Sequence, residues 1–102
     1  MIPPSTLFPN QHEIDKLCEN HNVKRLYAFG SVLTSEFNSA NDVDLIVEFN
    51  EVDVDKYADN YYEFKFSLEE VLKKPVDLLE DQAIKNPYFR QVVNETKELV
   101  YG

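Results

Sequence analysis

The stretch "FGSVLTSEFNSANDVDLIVEF", residues 29 to 49, joins a glycine-serine pair to an apolar run through a polar loop, and two carboxylates, Asp42 and Asp44, stand at the head of that run. In an extended strand, residues two apart project to the same side, so Asp42 and Asp44 point together while Val43 faces the other layer. Two like charges are crowded into one place, which is costly unless a cation or a shared proton relieves it. As strand-end residues, Asn41 and Asp42 also suit a turn, a reading that accounts for Asp42 but leaves Asp44 inside the apolar run.

Working outward, the apolar residues Val43, Leu45, Ile46 and Val47 predict a strand over 42–49 that is buried on both faces. Upstream, "KRLYAF", residues 24 to 29, alternates in the manner of a strand and closes at Gly30 and Ser31. Before it, Ile14, Leu17, Cys18 and His21 recur at helical spacing and predict an amphipathic helix over 10–20, with Asn10 or its neighbours as the cap. Downstream, Tyr57, Tyr61, Phe64, Leu68 and Val71 step by four and three, the pattern of a core-facing helix over 57–73. Pro75 ends it, and "VDLL", residues 76 to 79, reads as a third strand. Asn86 and Pro87 look like the cap and first position of a closing helix that carries Phe89, Val92, Val93, Thr96 and Val100. The order α-β-β-α-β-α predicts an α/β (α+β) fold, a small mixed sheet flanked by helices.

The chain has 102 residues, the size of a single domain spanning 1–102 that buries about two-thirds of its unfolded surface. Asp and Glu number 19 against 10 Lys and Arg, for a formal net charge of -9. Such a surface repels duplex nucleic acid, whose non-specific binding rests on Lys and Arg neutralising phosphates, and it suits divalent cations or a basic partner. A lone cysteine, Cys18, excludes an internal disulfide and reads as a small buried residue. No apolar run reaches the roughly 20 residues that span a bilayer, and no signal-like start is present, so a cytoplasmic protein without a membrane role is expected. His12 and His21 are nine residues apart and do not share a helix face as metal ligands would. The acidic run "EVDVDKYAD", residues 51 to 59, reads as a solvated connection into a helix start.

A third carboxylate, Asp77, lies inside the short apolar run 76–79, either as the outer face of an edge strand or as a partner of the other two acids. If its strand neighbours the second one, Asp42, Asp44 and Asp77 can converge. Three carboxylates can hold two metal ions about 4 Å apart, the arrangement used for in-line phosphoryl or nucleotidyl displacement. Mg2+ is the hard, oxygen-seeking ion that such a site takes together with substrate phosphates. Gly30 and Ser31 offer close backbone approach, free N–H groups and a hydroxyl, which together would cradle phosphates.

The pattern "GS", ten residues, "DVD", an apolar strand and a later "VDLL" resembles the minimal nucleotidyltransferases, the MntA-type antitoxins of the DNA polymerase β-like nucleotidyltransferase superfamily, over roughly residues 12 to 101. The resemblance implies a nucleotidyltransferase fold. It also implies transfer of a nucleoside monophosphate, usually AMP, from an NTP to a tyrosine hydroxyl of a HEPN-family toxin, with release of pyrophosphate. By position, Gly30 and Ser31 would bind the nucleotide triphosphate, Asp42 and Asp44 would bind two Mg2+ ions, and Asp77 would complete the catalytic metal site and help to deprotonate the acceptor. Family members commonly carry Ala-Arg-Gly after Gly-Ser and Ser before the first Asp; here "VLTSEF" and Asn41 occupy those places. Two alternatives follow: a module of this fold that neutralises its partner by contact alone, and part of a small-molecule nucleotidyltransferase.

Overall fold

The structure, a computed structural model, describes residues 11 to 29 and 43 to 102. Helix α1, Gln11–Asn20, turns Ile14 and Cys18 fully inward with Leu17 packed beside them, as the helical spacing predicts. Its expected cap, Asn10, lies outside the described residues. At its end His21 Nδ1 donates to the Leu17 carbonyl at 2.8 Å, and Asn22 takes a left-handed φ of 59°, a conformation that asparagine tolerates better than most residues. The chain thus reverses at once into strand β1, Val23–Ala28.

Strand β2, Val43–Phe49, runs antiparallel to β1 and has no fully exposed residue. A register shift between Val23 and Arg25 bulges β1. The extra residue explains why Val23 and Leu26, three apart and out of phase for a regular strand, are both buried. Helix α2, Val54–Leu72, starts three residues before the expected position, taking in part of the acidic run that was read as a helix entrance. It buries Phe64 and Leu68 completely and packs Tyr61 and Val71 against the same core. Lys73 closes it with a left-handed φ of 60°, its N–H donating to the Glu69 carbonyl at 2.9 Å. The Glu69 side chain then accepts from the Val76 N–H at 2.8 Å, anchoring the first residue of strand β3, Val76–Glu80.

β3 lies parallel to β2, and the sheet order is β3-β2-β1-β4. Helix α3, Pro87–Thr96, begins as expected: Pro87 fills the first position, and the Asn86 side chain accepts from the Tyr88 and Phe89 N–H groups. Its end departs from expectation. Lys97 is already extended, and Glu98–Tyr101 form strand β4 against β1, so Val100 belongs to the sheet and not to the helix. Gly102 follows with φ of 103°, pressed so closely on β1 that a Cβ there would stand 2.6 Å from the Lys24 carbonyl oxygen.

The two faces of the sheet differ. Ile14 and Cys18 of α1 and Phe64 and Leu68 of α2 share one cluster with Leu26, Val43, Leu45, Val47, Leu78 and Val100, so α1 and α2 cover one face together. Ile46 and Val93 are also fully buried but stand outside that cluster. Ile46 pairs with Tyr27 across β1 and β2, and Lys97 at the end of α3 sits 4.3 Å above the Tyr27 ring. The second face is therefore where α3 leans, and the expectation that β2 is buried on both sides holds for its middle. Among the described residues no helix is long and apolar enough to cross a membrane.

Phe64 and Phe66 lie two residues apart on α2, one buried and one 58% exposed. Phe64→Ala should cost about 3–5 kcal/mol, measured by urea denaturation, whereas Phe66→Ala should stay within about 0.5 kcal/mol of wild type. Burial, reinforced by Asp15 and Glu19, pushes the Cys18 thiol from about 9 up to about 12. Because the unfolded chain would lose that proton first, the stability this thiol contributes is complete below pH 9 and is lost as pH climbs toward 12. Native protein should resist iodoacetamide at pH 8 and react rapidly once unfolded.

Candidate functional site

Parallel pairing of β2 and β3 sets Val43 beside Val76, Asp44 beside Asp77 and Leu45 beside Leu78. The valines and leucines point into the core, so the aspartates between them must point to the opposite face. Neighbouring strands are about 4.8 Å apart, so the two residues leave the sheet side by side. Asp44 is half-buried and Asp77 is exposed at the sheet edge. The condition set by the sequence, that the strand of Asp77 should neighbour that of Asp44, is met.

Several contacts hold this pair in place. The Val43 N–H donates to the Pro75 carbonyl at 2.9 Å, opening the parallel ladder one step before the aspartates. The Phe29 N–H donates to the Asp44 carbonyl at 3.2 Å, so the residue that precedes Gly30 is tied to the backbone of the acid itself. Phe29 also meets Phe89 of α3 edge-on, ring centroids 6.0 Å apart. From the core side, Tyr61 Oη donates to the Leu78 carbonyl, next to Asp77. Burial raises the Tyr61 hydroxyl above its ordinary range, with the charges of Glu80, Tyr62 and Asp77 adding to it, so it stays a donor at any physiological pH.

Gly30, Ser31 and Asp42 lie outside the described residues. Of the five predicted site residues, the structure brings together Asp44 and Asp77. Among the described residues, no group of three or more His, Cys, Asp or Glu side chains is placed to hold a metal ion. The histidines behave as structural residues, His12 exposed and His21 capping α1 beside the Phe64 ring.

A cleft of about 390 Å³ opens at the opposite end of the same two strands, lined by Glu48, Phe49, Glu51, Tyr57, Glu80 and Asp81 among others. Its acids are largely engaged within the protein. Tyr57 donates to Glu80 at 2.7 Å, Glu48 meets Lys24 at 3.5 Å and Arg25 at 3.4 Å, and Asp81 receives Arg90 at 2.9 Å. Burial first, and the bond to Glu80 next, raise the Tyr57 hydroxyl. Arg90 also reaches the Asp81 and Ile84 carbonyls, clamping α3 to the turn that follows β3. This clamp orients the helix that faces Phe29, and nothing in the spacing of Asp81 and Arg90 announced it.

The element order, the mixed sheet and its helical cover are those of a small α+β domain, the architecture implied by the nucleotidyltransferase resemblance. The chain belongs to the nucleotidyltransferase domain family, whose model matches residues 14 to 100. It is 33% identical over 85 residues to a Methanocaldococcus jannaschii protein provisionally named as a protein adenylyltransferase, spanning 83% of this chain and 82% of that one. A solved structure provisionally named a minimal nucleotidyltransferase superposes with a TM-score of 0.73 at 27% identity, covering 95% of each chain. A chain from the complex of a tri-AMPylated Shewanella oneidensis HEPN toxin with its MNT antitoxin shares the fold, with a TM-score of 0.62 at 22% identity over 92% of this chain and 71% of that one. The protein is thus a nucleotidyltransferase, adenylyltransferase-like in its relatives.

The register of the aspartates can be checked directly. With Asp44→Cys and Asp77→Cys combined, the Cα spacing of neighbouring strands falls inside the disulfide range of about 4.4–6.8 Å. Mild oxidation should link the pair, read as a mobility change on non-reducing electrophoresis, while Asp44→Cys with Gln82→Cys should not link.

Proposed function

We propose that this protein transfers AMP from ATP, with Mg2+, to a hydroxyl of a partner protein, and that it serves as the antitoxin of a HEPN-family toxin in the cytoplasm. It would act as a single minimal domain over residues 1–102. The observation that carries this reading is the pairing of Asp44 with Asp77 at the head of two parallel strands in a member of the nucleotidyltransferase family. The M. jannaschii relative named as a protein adenylyltransferase and the AMPylated toxin bound to its MNT antitoxin support the acceptor and the partner.

Paired carboxylates are hard oxygen donors, a fit for Mg2+ and not for a soft metal. Asp44 and Asp77 would hold the ions, two in number, with Asp42 as the third ligand two residues before Asp44. When bound, the ions would supply charge neutralisation on the phosphates and on the attacking oxygen. Gly30 and Ser31 would bind the triphosphate, and Phe29, the residue before them, is tied to the Asp44 carbonyl. The acceptor oxygen attacks the α-phosphorus, the bond to the bridging oxygen of the β-phosphate breaks, and pyrophosphate departs. Asp77, exposed at the edge, would take the acceptor's proton. Catalysis of this kind is positioning and electrostatic stabilisation.

The replacement of the family's Ala-Arg-Gly by "VLTSEF" favours a second reading, in which the same fold neutralises the toxin by contact without turnover. The two separate in one experiment with α-labelled ATP, Mg2+ and a HEPN-family toxin. Labelled partner is expected, EDTA should stop it, and Asp44→Asn should lower it by on the order of 100-fold or more, because outer-shell changes alone cost about 10–100-fold. Mg2+ and ATP should raise the melting temperature of wild type and not of Asp44→Asn. Absence of label from all four NTPs with folded wild type would overturn the enzymatic reading. Toxin neutralisation retained by an inactive Asp44→Asn, Asp77→Asn variant would establish the contact reading in its place.

A further inference from the structure

Helix α2 has a second face that neither the core nor the candidate site uses. Residues two apart on a helix point nearly opposite ways, so with Phe64 buried, Phe66 is driven to the surface. Tyr62, one turn earlier, is 51% exposed and stacks on Phe66 with ring centroids 6.0 Å apart and planes at 27°. By the helical step of about 100° per residue, Asp55, Asp59, Glu63 and Glu70, all exposed, fall on the same side as these rings, with Lys56 beside Asp59 and Glu63 at one margin. The described ion pairs join Lys24 and Arg25 to Glu48 and Arg90 to Asp81, and none reaches this face. Asp55, Asp59 and Glu63 repeat at a spacing of four, where like charges destabilise a helix by about 0.2–0.5 kcal/mol per pair. Two exposed rings stacked on each other and a row of like charges coincide on one surface.

Charge decides what can cover it. A second copy of the chain would set these four carboxylates against four more, between molecules of net charge -9. Nucleic acid and anionic lipid are repelled for the same reason. A guanidinium or ammonium gains from both features, since cations sit on aromatic faces and pair with carboxylates; Lys65 Nζ already stands 6.0 Å from the Phe66 centroid. We propose that the outer face of α2 is a docking surface for a protein partner that presents an apolar side chain flanked by arginine or lysine. α2 covers the sheet face opposite Asp44 and Asp77, so a partner held there leaves the carboxylates open.

The test titrates the full-length 15N-labelled protein with a short amphipathic helical peptide carrying a leucine stripe flanked by arginines. A matched peptide with glutamates in place of the arginines serves as control. Amide shifts should gather along residues 54–70 with the arginine peptide alone. Tyr62→Ala with Phe66→Ala, both at exposed positions, should weaken binding about tenfold. Asp59→Lys with Glu63→Lys should lose the arginine peptide and bind the glutamate one. Shifts spread evenly over the acidic surface, centred elsewhere or absent would overturn the proposal, as would undiminished binding by the ring variant. A concentration-dependent dimer abolished by that variant would overturn it in favour of self-association.

Discussion

The parallel pairing of β2 with β3 is the constraint on which the rest of the molecule depends. Two parallel neighbours cannot be joined by a tight turn, so the chain must travel back along the sheet, and α2 is that return path. Its 19 residues span about 28 Å at 1.5 Å per residue, enough to cross the sheet and leave the chain at the head of β3. Everything at the junction serves the landing: the left-handed Lys73, the Glu69 carboxylate on the Val76 N–H, and the Pro75 carbonyl that receives Val43. A slip of one residue in β3 would turn Asp77 into the core and Val76 and Leu78 out of it. Burial of those two side chains therefore specifies the register, and the register specifies the carboxylate pair.

The sheet divides its labour by face. Helices α1 and α2 close one face with a continuous apolar cluster, which supplies the driving force for folding. The other face carries Asp44 and Asp77 at one end, Ile46 in the middle and the Arg25–Glu48 contact further along. Among the described residues, its middle is the buried part. α3 leans there through Phe89 on Phe29 and Lys97 on Tyr27, and Arg90 fastens the helix to the turn after β3. The sheet thus separates an apolar, stabilising face from a face that carries carboxylates.

Much of this was legible because local physics and tertiary environment agree. Phe64 and Leu68 recur at helical spacing and both sit at zero exposure in the core. Asn86 followed by Pro87 announced a helix start, and the asparagine oxygen takes two backbone N–H groups there. The close of the chain misled for a definite reason. Val92, Val93, Thr96 and Val100 continue a helical rhythm, yet "ELVY" also alternates, and short segments with both periods are arbitrated by what they can pair with. An open edge on β1 accepted the segment as a strand. The bulge in β1 was equally silent, since Val23 and Leu26 are out of phase until a partner strand shows the inserted residue.

Sequence alone determined the alternation of elements up to the last helix, the Asn86 cap, the buried stripes of α1 and α2 and the presence of acids where a buried strand has no use for them. These properties are local: each depends on residues within a turn or two of one another. Tertiary structure alone decided that Asp44 and Asp77, 33 positions apart, are neighbours and that β4 joins the sheet. Strand order and register are set by which faces can be buried together, a property of the whole chain that no short window of it contains.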